Sequence, residues 1–164
     1  MTTATTPEKI IQDKVVALLD ADAGQTAITI NHGPTILNHY PEAKFSQSML
    51  PVIVVEAPMI AETDQFDNCY QRIVYDVPLI FVDARGVAAG RVDEMEELRM
   101  LVLKTKAYLF SVDSLGLAYL HVYNNHFEWA QDVEVTDDLG NNLVGIPVTF
   151  TVSTLQKPGT IWSV

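Results

Sequence analysis

The chain has 164 residues, which fits one domain of the usual roughly 100–200 residues; 48% are hydrophobic, enough for a core that needs no disulfide or metal. Its 21 acids against 10 bases give a net charge of −11, which argues against tight nucleic-acid binding, because that depends on Lys and Arg neutralising phosphates. No apolar run approaches the roughly 20 residues of a membrane helix, and the opening Met1–Pro7 lacks the basic-then-apolar order of a secretory signal. A cytoplasm is therefore the expected compartment.

Residues 1–6 are expected to be disordered. Thr6 is suited to N-cap a helix with Pro7 at its first position and Glu8 at its positive end. Ile11, Val15, Leu18 and Leu19 recur at helical spacing, so a helix is predicted from Pro7 to about Ala21, with Gly24 as its left-handed terminator. Ala27–Asn31 alternates and reads as a short strand, ended by His32-Gly33-Pro34. From Thr35 to Met49 no period emerges, and the expectation is a loop with a short helix in it. Leu50–Glu56 is a continuous, mostly β-branched run, the pattern of a central strand covered on both faces. Pro58–Asn68 reads as an acidic loop containing Glu62, Asp64 and Asp67.

The stretch from Tyr70 to Ala84 is a long strand with Ile73, Tyr75, Val77, Leu79 and Phe81 on one face, expected to pair antiparallel with residues 52–56. Pro78 lacks a ladder donor and predicts an edge or a bulge at that point. Arg85–Gly90 turns the chain into a helix that reaches about Phe110, with Asp93 as N-cap and Glu96 completing a capping box. Met95, Leu98, Leu101, Val102 and Leu109 form its sheet-covering face. Leu117–Tyr123 and Phe127–Val135 are strand-like, with Phe127 and Trp129 both assigned to the core. Asp137–Asn142 is a turn, and Val148, Phe150 and Val152 alternate with Thr149, Thr151 and Ser153 in a half-buried strand. Strands and helices thus segregate into an α+β domain over residues 7–155, a mostly antiparallel β-sheet with two principal helices packed on one face. Residues 156–164 form a C-terminal tail whose Trp162 is a candidate inter-subunit contact.

A search for chemistry finds none: catalytic, cofactor-binding and metal site residues are all expected to be absent, and the chain is not expected to be an enzyme. There is no phosphate-binding glycine loop, GxSxG, HExxH or EF-hand pattern, and Asp132–Asn142 lacks the ligand register of a calcium loop. Cys69 has no second cysteine to bond. His32, His39, His121 and His126 form no metal-spaced pair, and the Glu94, Glu96, Glu97 cluster is accounted for by the helix dipole.

The order of parts resembles the tail-terminator (tail-completion) proteins of long-tailed bacteriophages. The resemblance rests on the amphipathic helix from Ile10 to Leu19, the Leu50-Pro-Val-Ile-Val-Val55 strand and the long strand from Ile73 to Asp83. It extends through the acidic-capped helix from Asp93 to Phe110 and the closing Ile146-Pro-Val-Thr-Phe-Thr-Val152 strand. It covers nearly the whole chain. It implies a structural virion protein of the tail–neck region, assembled in the host bacterial cytoplasm. Such a protein forms a homo-oligomeric ring, usually of six subunits, between the tail-tube protein and a neck or connector protein. DNA would pass its acidic bore without specific binding, and loops such as Pro58–Asn68 and Arg85–Val92 would supply axial or inter-subunit contacts. A neck stopper, a head–tail adaptor, a tube subunit and a cellular α+β ligand-binding domain are the competing readings.

Overall fold

The computed structural model describes residues 5–41, 44–65, 67–84, 92–117, 123–136 and 138–157, without the side chains of 92–95 and 123–125. Helix α1 (Pro7–Asp20) starts as its sequence dictates, with the Thr6 hydroxyl accepting from the Lys9 backbone N–H at 3.3 Å and Pro7 following the cap. Ile10, Ile11, Val15 and Leu19 are buried, and so is Gln12, whose amide donates to the carbonyls of Val55 (2.9 Å) and Asn38 (2.7 Å). Those two bonds satisfy a polar group that would otherwise cost about 1–3 kcal/mol to bury, and they tie the helix to the sheet beneath it.

Two expectations fail directly after α1. Ala21 takes an extended conformation and ends the helix, and a second helix, α2 (Asp22–Ile28), begins at once. Gly24 is therefore no terminator. It is buried within α2, where a Cβ would stand 2.0 Å from the Leu18 carbonyl oxygen, so its lack of a side chain lets the two helices meet. The predicted strand at Ala27–Asn31 is absent: Ala27 and Ile28 close α2, with Ile28 fully buried, and residues 30–31 bend. Five residues with isoleucines two apart are too few to separate a strand from a helix end.

Among the described residues the sheet has seven strands, β1 (Thr35–Leu37), β2 (Val52–Val55), β3 (Met59–Gln65), β4 (Gln71–Ala84), β5 (Tyr123–Trp129), β6 (Val133–Thr136) and β7 (Asn142–Gln156), with helix α3 (Val92–Ser111) between β4 and β5. The order is β1-β2-β4-β7-β5, with β3 also on β4 and β6 also on β7. Only β1–β2 is parallel among these pairings. The fold is α+β, as the segregated pattern predicts. Its spine is the β4–β7 pair, in register from Gln71 opposite Gln156 to Ala84 opposite Leu143.

Pro78 fits this frame. Its carbonyl accepts from the Glu56 N–H at 2.9 Å, so its nitrogen faces the same flank, in the gap between β2 and β3 where no ladder bond is needed. The acidic loop expected at Pro58–Asn68 is instead mostly strand β3, which shifts register between Ile60 and Glu62. All seven of its residues are exposed, so it has no buried alternation for a sequence reading to detect. Asp67 makes the turn into β4, its carboxylate accepting from the backbone N–H groups of Cys69 (2.6 Å) and Tyr70 (2.8 Å).

Alternate residues divide the sheet into two faces. Ile53, Val55, Tyr75, Val77, Leu79, Phe81, Phe127, Ile146, Val148, Phe150 and Val152 share one core with the helices. On the opposite face Val52, Val54, Ile80, Val82 and Leu143 form a smaller cluster with Phe45. In the segment read as irregular, residues 35–49, the described residues include β1, Phe45 of the smaller cluster and a 3₁₀ turn at Gln47–Met49. Helix α1 touches β1 and β2, whereas α3 packs over β4. Asp93 lies inside α3, which begins at Val92, so it does not hold the cap position.

Beyond α3, Leu117 is not in a strand, and residues 118–122 of the expected Leu117–Tyr123 strand lie outside the described residues. Strand β5 instead includes Asn124 and Asn125. The β6–β7 hairpin turns at Asp138–Gly140, with Gly140 at φ +85°, a conformation that favours glycine.

Candidate assembly interface

The residues weighed for chemistry do not converge. Cys69 is exposed beside the Asp67 turn. His32, His39 and His126 are exposed on separate elements, and His39 bonds the neighbouring Asn38. His121 and Trp162 lie outside the described residues, as do Arg85–Arg91. Among the described residues no three His, Cys, Asp or Glu side chains cluster as a metal site, and no helix is long and apolar enough to cross a membrane. Glu97 accepts from the Asn31 amide at 2.6 Å and so anchors α3 to the segment after α2. Glu96 is exposed, and Glu94 is among the side chains not described.

A cleft of about 250 Å³ lies between the segment after α2, the start of α3 and the end of β4; Asn31, His32, Asp83 and Glu97 supply its polar lining and Leu50, Leu98 and Leu101 its apolar lining. A second, of about 300 Å³, lies on the other sheet face by Tyr40, Glu56, Pro78 and Pro147. Burial there raises the Tyr40 phenol above its ordinary value, and the Glu56 charge adds to the effect. Small-molecule sites usually have about 300–1,000 Å³, so these clefts fall at or below the lower limit.

The larger surface feature is the outward side of α3. Leu98, Leu101, Val102, Thr105 and Leu109 are buried under it. At the helical spacing of three and four residues, Met100, Leu103, Ala107 and Phe110 line the opposite side, and all are exposed. Leu103 is 47% and Phe110 42% exposed. A helix that is apolar on both sides is normally covered on both. Phe110 also reaches the sheet, with ring centroids 6.4 Å from Phe127 and 6.2 Å from Phe150. Trp129, assigned to the core from its alternation with Phe127, is 38% exposed. It lies on β5, the last strand of the sheet path among the described residues.

The other exposed feature is β3, which among the described residues pairs only with β4. Met59 and Ile60 are 62% and 53% exposed. Beside them Arg72 donates to Glu62 at 2.5 Å and Asp64 at 2.6 Å. Chiefly through its bond to Arg72, with a further contribution from Glu62, the Asp64 carboxyl is held below its ordinary value. On the core side of the same region the Gln156 amide donates to the Tyr75 hydroxyl at 2.8 Å, and burial raises the Tyr75 phenol.

No protein-family model matches the sequence, and no curated protein matches it. The fold does have a solved counterpart. A chain of the virion of a native gene transfer agent (GTA) particle superposes with a TM-score of 0.63 at 17% identity, over 93% of this chain and 100% of that one. At that identity the likeness is one of fold, and it extends over nearly all of both chains.

Proposed function

We propose that this protein is a structural virion component, a tail terminator that assembles as a ring, caps the tail tube and joins it to the neck of the capsid. The observation that carries the reading is the whole-chain fold likeness to a chain of a gene transfer agent virion. The likeness spans 93% of this chain and 100% of that one. The sequence resemblance to phage tail terminators narrows the role within such a particle. The exposed apolar side of α3 and the exposed strand β3 are what a subunit destined to be covered would carry. The partners are further copies of the chain, the tube protein and a neck protein, and no catalytic step is involved. The net charge of −11 suits a bore that DNA passes without adhering.

The test is functional capping. Purified protein added to polymerising tail-tube subunits should halt elongation and appear by negative stain as a ring at one tube end. Tubes that elongate unchanged, with no protein at their ends, would refute the terminator role.

A further inference from the structure

We infer that the outward side of α3 is the seat for strand β3 of a second copy of this chain, a head-to-tail contact that repeats from subunit to subunit. The contact presupposes the self-assembly proposed above and names the two surfaces that make it.

Charge selects the occupant. The chain as a whole is strongly acidic, with a net charge of −11, so most of its surface repels a second copy. One stretch that departs from this is α3 from Arg99 to Ser111, which holds Arg99, Lys104 and Lys106 and no acid. These bases flank the apolar stripe: Lys106 stands 5.7 Å over the Phe110 ring, and Arg99 lies 3.9 Å from Asp132 on the β5–β6 connection. Residues 56–67 are the converse, with Glu56, Glu62, Asp64 and Asp67 and no base. Arg72 is bonded to both Glu62 and Asp64, and one guanidinium leaves that cluster with a net negative charge. Each surface thus joins exposed apolar side chains to a local excess of one sign of charge, positive on α3 even with Glu96 and Asp132 beside it and negative on β3 even with Arg72, and the excesses are opposite.

Size and placement agree with this pairing. The stripe from Met100 to Phe110 is about 15 Å long at the helical rise, and seven strand residues span about 20 Å. The two surfaces also lie on different flanks. Strand β3 shares the side of β4 with β2, whereas α3 is turned toward β5 through the Phe110–Phe127 and Arg99–Asp132 contacts. A contact between different patches on different flanks is heterologous, and such contacts close into rings when the rotation allows.

The test combines cross-linking with charge exchange in the full chain. Zero-length carbodiimide coupling of a mixture of ¹⁵N-labelled and unlabelled protein should give mixed-isotope links from Lys104 or Lys106 to Glu62 or Asp64. Lys104→Glu with Lys106→Glu should weaken assembly at least tenfold, as should Glu62→Lys with Asp64→Lys, and the four substitutions together should restore it. Thermal melts of each variant establish that the fold survives. Should the wild-type chain assemble while inter-subunit links avoid α3, or should the fourfold variant fail to recover, the pairing is wrong and the ring stands. Were the α3 variant to keep its oligomer mass but lose tail tubes, α3 would belong to the tube protein, which also overturns the pairing. A chain that stays monomeric with and without tubes refutes both the pairing and the ring.

Discussion

Helices α1 and α3 cover the same sheet face but differ on the side turned away from it. On α1 that side presents Lys9, Asp13, Ala17 and Asp20, with Lys9 and Asp13 paired 2.5 Å apart, an ordinary solvated surface. On α3 it presents Glu96, Met100, Leu103, Ala107 and Phe110. Both helices bury an equally apolar inner side, so folding of the monomer explains α1 completely and α3 only in part. Leu103 is not part of the core, and Phe110 stays 42% exposed even with its ring against Phe127 and Phe150; covering what is left of each would contribute about half of the roughly 1.5–3 kcal/mol of a fully buried side chain. The difference is what the proposed assembly would account for, with α3 as the helix covered by a neighbour.

The sharpest way to break this contrast is to place one charge on each helix. Leu103→Asp is expected to lower the assembly constant at least a hundredfold, whereas Ala17→Asp on α1 should leave it within twofold, both read by sedimentation velocity. Equal effects would erase the distinction. The inner sides set the next scale. Leu109→Ala removes a fully buried side chain and should cost about 2–5 kcal/mol in urea unfolding, while Leu103→Ala should cost the monomer no more than about 0.5 kcal/mol.

Where α1 meets α2, Gly24→Ala should destabilise by about 1–3 kcal/mol through overpacking, although alanine is the better helix former by about 1 kcal/mol. A stabilised variant would contradict the 2.0 Å approach to the Leu18 carbonyl. The smallest effect belongs to β3. Because Arg72 holds Asp64 below its ordinary 3.8, the contribution of their bond is complete above that value and is lost as the pH falls through the lowered one. Arg72→Ala should return the Asp64 titration, followed by carboxyl NMR shifts, toward 3.8.

Burial patterns made the centre of the molecule legible and its surface obscure. The long alternation of β4 and the four-strong run of β2 are dictated by a covered sheet, and both occur where the sequence predicts them. The inner side of α3 followed from Leu98, Leu101, Val102 and Leu109 for the same reason. The outer side was not singled out, because the sequence alone does not show whether packing leaves apolar residues such as Met100, Leu103 and Phe110 uncovered. Only the packing shows which residues are left uncovered. Strand β3 escaped notice through the opposite defect: a strand exposed at all seven positions has no alternation to find. The reading of Gly24 failed because a glycine admitting a close helix contact and one ending a helix occupy the same place in the pattern. Trp129 alternates with buried Phe127, but the edge of a sheet buries less than its centre.

On the function proposed above, copies of this chain cover one another in a closed ring. Light scattering of the purified protein across concentration and salt, with and without tail tubes, tests it most directly. The account predicts one closed oligomer of fixed mass, formed alone or on the tubes, and weakened as salt screens the basic side of α3 from the acids of β3. A strict monomer under every condition, indifferent to tubes, would contradict it.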